Sequence, residues 1–266
     1  MIISVSRIPF PFNIIVSCLI FTLSEAIRRR APVKKMPLRV LDGHDVEPGE
    51  YPYAITIMTL EDDPFRICTG SVIAEQWTLT AAHCVEDMAT WRYYVWYDNF
   101  TFSPLVTKSY SKVLQIFIHP TYRTGISYID NDISLLYTQT VYVKRYGRLS
   151  AVDHTTMIGL PVTYVGGGET NKPGDDDMRQ LQVGEAAIIS CDKKFSTYIR
   201  FLICITPKCS NVLHMGWYGD SGGPLIYNGN IVGVFSIGDN TTQAAYMGYT
   251  PVSPFIDWIS NLISLK

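Results

Sequence analysis

From Val40 onward the chain is a succession of short β-rich runs cut by Gly, Pro, Asn and Asp: YAITIM, WTLTAA, WRYYVWY, VLQIFI, ISLLY, PVTYVGGG, EAAIIS, PLIYNGNIVGVFSIG and AYMGYTPV. This spacing argues for an all-β sandwich or barrel and against βαβ units. Within it, Asn228-Gly229 is the dipeptide of a tight hairpin. Helical spacing is expected only at the end, over 253–265, where Phe255, Ile256, Trp258, Ile259, Leu262 and Ile263 recur. Ser253 is the expected cap, Pro254 suits the first turn, and the apolar face is expected to pack on a barrel.

A chain of 266 residues can bury a substantial core, and all-β barrels of this length often form one domain. Charged residues are only 17%, which argues against a disordered chain. The formal net charge of -2 offers no nucleic-acid footprint and no polybasic membrane patch, so neither partner is expected.

The residues before Val40 have a different character. Arg7, an apolar stretch from Asn13 to Leu23 and the small residues around Ala26 predict a secretory signal over 1–26. The apolar run is short of the roughly 20 residues of a spanning helix, which disfavours a membrane anchor. Residues 27–39, IRRRAPVKKMPLR, hold six basic residues and no acidic one, and read as a detachable arm. A secreted, extracellular location follows, with an acidic mature chain from 40 to 266.

Cys18 leaves with the signal, so Cys68, Cys84, Cys191, Cys204 and Cys209 remain. In an oxidising compartment disulfides are their expected fate, with one thiol left over. A zinc site is the competing reading, but no His pair follows Cys204 and Cys209. Asp175-Asp176-Asp177 is read as a solvated turn; no metal and no cofactor is expected.

Three segments together could hydrolyse an amide. Gly219-Asp220-Ser221-Gly222-Gly223-Pro224 would expose the Ser221 hydroxyl on a sharp turn, with the Gly219 and Ser221 N–H groups as an oxyanion hole. Thr80-Ala81-Ala82-His83-Cys84 follows Cys68, and a Cys68–Cys84 bridge would pin His83 beside two strands. Asn131-Asp132-Ile133-Ser134 sets an aspartate at the mouth of an apolar strand. There Asp132 could accept the His83 Nδ1 proton and hold the tautomer that serves Ser221 as general base. Each segment alone has a structural explanation, as cap, turn or core histidine. All three in the order His, Asp, Ser make coincidence a poor one.

On these residues the chain resembles the trypsin/chymotrypsin-like serine proteases over essentially all of 40–266. The resemblance implies two packed six-stranded antiparallel β-barrels, expected over about 40–155 and 156–252, and a Cys191–Cys204 disulfide. It implies a zymogen cut after Arg39 by an activating protease, with the freed Val40 ammonium pairing with Asp220. Ser236 and Gly238 match the strand that pairs with substrate backbone. Met215 falls at the pocket floor and Met247 on its opposite wall, so cleavage is expected after apolar residues, or after small ones if the two methionines fill the cavity. Protein or peptide substrates and protein protease inhibitors are the expected partners. The chain departs from the family in lacking two common disulfides, one near Trp217 and Asp239–Thr242 and one near Val162 and Tyr227.

Asn99 and Asn240 begin acceptor sequons, so glycans are expected at one or both. An active secreted endopeptidase is the leading reading, and a non-catalytic binding or regulatory protein on the same fold is the alternative. An esterase or lipase would carry its GxSxG elbow in an α/β chain with Ser before Asp before His, a setting and an order that this chain lacks.

Overall fold

The computed structural model describes residues 44–60, 64–87, 92–125, 128–168, 178–193, 199–207, 219–239 and 246–266. The segments read as a signal and a detachable arm, with Arg39 and Val40, and also residues 175–177, Cys209, Met215, Trp217 and Asn240, lie outside the described residues.

Two rings of strands make up the fold. The short strand β1 (His44–Asp45) is followed by β2 (Ala54–Leu60), β3 (Pro64–Ala74), β4 (Trp77–Thr80), β5 (Tyr93–Trp96) and β6 (Tyr110–Ile118). A small hairpin, β7 (Arg123–Gly125) and β8 (Tyr128–Asp130), then leads into β9 (Ser134–Thr138). Strands β2, β3, β4, β9, β6 and β5 form one closed antiparallel barrel, sealed where β5 pairs with β2. The second ring uses β10 (Pro161–Gly166), β11 (Gln182–Ile189), β12 (Ile203–Pro207), β13 (Pro224–Tyr227), β14 (Asn230–Asp239) and β15 (Tyr246–Pro251). Its order is β11-β10-β13-β14-β15-β12, and the β11–β12 pairing closes it, while β1 adds to β11 from outside. The expected pair of six-stranded antiparallel barrels is what the chain forms.

Apolar strand residues fill each barrel. Ile55, Ile57, Leu79, Trp96, Leu135 and Leu136 are buried in the first, and Ile205, Leu225, Phe235, Met247 and Tyr249 in the second. The hairpin expected at Asn228-Gly229 is present between β13 and β14, with both residues at positive φ, +48° and +74°.

The helical expectations need two corrections. A one-turn helix α1 (Pro104–Thr107) stands outside the C-terminal segment, started by Ser103 Oγ accepting from Leu105 N–H at 3.3 Å. Four residues are too few to show a helical period. At the C-terminus, a 3₁₀ turn over Ser253–Phe255 precedes α2 (Ile256–Ser264), and Ser253 caps neither. The Val252 N–H is taken by Val232 O at 3.0 Å, so the turn opens at Val252 and the serine falls inside it. Phe255 and Ile259 then pack on the core that includes the first barrel.

Candidate active site

The site is built where the two barrels meet, from segments that local sequence places at strand ends. Strands β4 and β9 pair with Thr80 opposite Ser134, which sets the residues just after β4 beside those just before β9. His83 lies in the turn after β4, and Cys84 is bonded to Cys68 of β3. Asp132 lies in a tight turn in which Asn131 has φ +53° and Ile133 N–H returns to Asn131 O at 2.9 Å. That turn sends the Asp132 carboxylate inward, where it is fully buried.

Three donors meet this carboxylate. The His83 backbone N–H donates to Oδ1 at 2.9 Å, and His83 Nδ1 lies 2.7 Å from Oδ2. Ser236 Oγ of β14 donates to the same Oδ2 at 2.6 Å. A carboxylate so held accepts only, so Nδ1 carries the proton and Nε2 has its lone pair free in the neutral ring. Burial pulls the His83 pKa down, but the hydrogen bond and charge of Asp132, helped by Glu86, outweigh it and raise the pKa above the ordinary value.

The serine loop is tied to both barrels. Thr69 N–H of β3 donates to Ser221 O at 2.8 Å, and Thr69 Oγ1 donates to Gly219 O at 2.6 Å. On the other side, Gly222 N–H donates to Phe235 O at 2.8 Å and Phe235 N–H to Gly223 O at 2.9 Å. Gly219 and Gly222 have φ of +96° and +81°. At Gly222 a Cβ would overlap Thr80 Oγ1 and the Thr69 carbonyl, so glycine is required there for space as well as for backbone conformation. Among the described residues, the Ser221 side chain makes no hydrogen bond, and the Gly219 and Ser221 N–H groups donate to nothing.

The Asp220 side chain lies against Gly166 and Gly168. It is buried, and its Oδ1 accepts from Gly168 N–H at 2.7 Å.

The other predicted residues divide into two groups. Cys191 and Cys204 are bonded, as the resemblance implied. Ser236 is skipped in the β14–β15 register, between Phe235 and Ile237, so its backbone is unpaired in that ladder. Gly238 is exposed, whereas Met247 is packed in the second-barrel core beside Met157, Tyr164 and Ile205. Asn99 lies partly exposed after β5, its Oδ1 accepting from Thr101 N–H and Oγ1 at 2.9 and 2.8 Å. Among the described residues one trio has metal-ligand spacing, Cys68, His83 and Cys84, but its two sulfurs are joined to each other.

Two contacts were not legible in the sequence: the Ser236 hydroxyl on Asp132 and the Thr69 hydroxyl on Gly219. The first joins residues 104 positions apart and the second residues 150 apart, and no local pattern announces either.

The arrangement defines a double-barrel β protein with a buried aspartate paired to a partly exposed histidine and a glycine-flanked serine loop. The Trypsin family model matches residues 40–259. Serine protease 1 of Homo sapiens is 29% identical over 233 residues, covering 85% of this chain and 90% of that protein. Chymotrypsin-like elastase family member 1 of Rattus norvegicus is 28% identical over 246 residues, with 85% and 90% covered. Among solved structures, neuropsin, a serine protease expressed in the limbic system of mouse brain, shares the fold at a TM-score of 0.67. It is 22% identical, with 84% of this chain and 99% of that one covered. The chain belongs to the Trypsin family of serine proteases.

Proposed function

We infer that this chain is a secreted serine endopeptidase, made as a zymogen, that cuts peptide bonds through an acyl-enzyme. The observation that carries the reading is the two-point hold of buried Asp132 on His83, which orients the ring and keeps Nε2 as the free base. Ser221 Oγ attacks the scissile carbonyl, and His83 takes its proton and returns it to the leaving amine. Gly219 and Ser221 N–H stabilise the oxyanion, and water attacking by the same route releases the acyl group.

The zymogen part of the reading is supported by the depth of Asp220 beside the nucleophile. A carboxylate in such a place suits an inward-turned ammonium, here that of Val40 freed by cutting after Arg39. An Arg39→Gln precursor is expected to stay nearly inactive when the wild-type precursor is activated by a trypsin-type enzyme. Equal hydrolysis by both would refute it.

Cleavage after apolar residues is supported by chemistry near the pocket. No Asp or Glu lies between Cys204 and Gly219 to meet a basic side chain. Without a counter-ion a Lys ammonium would lose several kcal/mol on burial, whereas Leu or Phe would gain about 1.5–3 kcal/mol. The kcat/KM ratios for matched peptides ending in Phe, Leu, Ala and Arg decide this, and a preference for Arg overturns it. Small-residue selectivity is the outcome if Met215 and Met247 occupy the cavity.

A non-catalytic secreted binding protein is the second reading, favoured by the deep packing of Met247 and by a Ser221 hydroxyl without a hydrogen bond among the described residues. A fluorophosphonate probe separates the two. Labelling of the activated protein that disappears in Ser221→Ala supports the enzyme, and an unlabelled wild-type protein supports the binder.

A further inference from the structure

We propose that Thr69 is a positioning residue for the oxyanion hole, acting through its side-chain hydroxyl. This rests on the reading of Ser221 as nucleophile.

Thr69 is fully buried in β3, one residue after Cys68, and four hydrogen bonds converge on it. Its N–H donates to Ser221 O at 2.8 Å and its carbonyl accepts from Thr80 Oγ1 at 2.9 Å. Its Oγ1 accepts from Gly167 N–H at 2.9 Å and donates to Gly219 O at 2.6 Å. The hydroxyl rotor is therefore fixed, with one donor in and one acceptor out.

Main-chain N–H and side-chain O–H of one residue thus hold the carbonyls of Gly219 and Ser221, the two residues whose own N–H groups face the oxyanion. The main-chain bond can form with any residue but proline at position 69. The bond to Gly219 requires a hydroxyl. Gly219 sits at φ +96°, a conformation glycine leaves at little cost, so the direction of its N–H depends on what holds the rest of the residue.

The hydroxyl is itself braced. Arg179 donates to Gly167 O at 3.0 Å and to Gly168 O at 3.2 Å, while the amides of these glycines go to Thr69 Oγ1 and Asp220 Oδ1. Arg66, stacked 4.5 Å over the Trp96 ring, donates to the Arg179 carbonyl at 2.7 Å. A chain of contacts therefore runs from the first-barrel core through Gly167 and Thr69 to Gly219. Preorganised donors act in the transition state far more than in substrate binding, so loss of the hydroxyl should appear in kcat.

The test compares activated wild-type enzyme with Thr69→Val, which removes the hydroxyl at nearly constant volume, and Thr69→Ser, which keeps it. Thr69→Val is expected to lower kcat about 10- to 100-fold with KM within about twofold. Its affinity for a peptidyl trifluoromethyl ketone, which places an oxyanion in the hole, should fall by the same factor as kcat/KM. The pH midpoint of kcat/KM should not move, because the Asp132–His83 pair is untouched. Thr69→Ser should recover most of the activity. Should Thr69→Val not fold, Thr69→Ala carries the same comparison. A hydroxyl-free variant within about twofold of wild type overturns the proposal, as does a loss wholly in KM or a Ser variant equally impaired. Wild-type enzyme that a fluorophosphonate does not label defeats the nucleophile reading and this role together. Labelled wild type with an unimpaired variant defeats this role alone.

Discussion

Ser236 Oγ of the second barrel donates to Asp132 Oδ2 of the first at 2.6 Å, on the same oxygen that meets His83 Nδ1 at 2.7 Å. One carboxylate oxygen therefore serves both barrels. Ser236→Ala should leave Asp132 Oδ2 to His83 alone and raise the His83 pKa further. The rising limb of kcat/KM against pH should move to higher pH, with a loss of about 1–3 kcal/mol in stability from the missing donor. An unmoved pH profile would show that this bond does not tune His83.

In the proposed mechanism neutral His83 is the base, and Asp132 holds its pKa above the ordinary 6.5. Activity should therefore rise with pH about a midpoint above 6.5. The same shift has a consequence for stability. A raised folded-state pKa means that protonated His83 favours the fold, fully so below the unfolded value and no longer once pH rises through the folded one. The Tm advantage of wild type over His83→Ala should shrink as pH is raised through that range. Melting curves of the two proteins at several pH values check this, and an advantage that grows contradicts it.

The Cys68–Cys84 bridge spans 16 residues and anchors the turn that carries His83. The double substitution Cys68→Ala, Cys84→Ala should cost about 3 kcal/mol in stability. It should also lower kcat by loosening His83. Denaturant unfolding and steady-state kinetics on one preparation measure both, and a stability loss without a kinetic one would leave the bridge with no part in placing His83.

Gly222 has neither the space nor the backbone conformation for a side chain. Gly222→Ala should cost about 2 kcal/mol or more and remove most fluorophosphonate labelling at Ser221. Gly229, at positive φ but with open space around it, is the control: Gly229→Ala should cost less and leave labelling intact. Equal damage from both would show that backbone strain alone, and not the close approach of Thr80 and Thr69, accounts for the effect.

The Asn99 sequon lies partly exposed in the loop after β5. The protein secreted from eukaryotic cells should migrate faster after enzymatic deglycosylation, and Asn99→Gln should remove part of that shift. Unchanged mobility on both counts excludes a glycan there.

What the sequence determined by itself were features carried by residues a few positions apart. The short β-rich runs between Gly, Pro, Asn and Asp predict strands, Asn228-Gly229 predicts a hairpin and supplies its positive φ angles, and Cys68 with His83-Cys84 places a bridge beside the histidine. The motif residues His83 and Asp132 came together because β4 and β9 pair in the register that puts Thr80 opposite Ser134. Tertiary structure alone decided the rest. Closure of each ring and the meeting of the two barrels brought Ser236 to Asp132, Thr69 to Gly219 and Arg66 onto Trp96, and buried Met247 in the second core. The cap expected at Ser253 failed for the same reason, because the hydrogen bond of Val252 N–H to Val232 O had already set where the chain turns. Periodicity and turn chemistry are local properties that single residues carry into any fold. The donor that completes a buried carboxylate or a glycine carbonyl is instead chosen by which strands the closed rings set side by side.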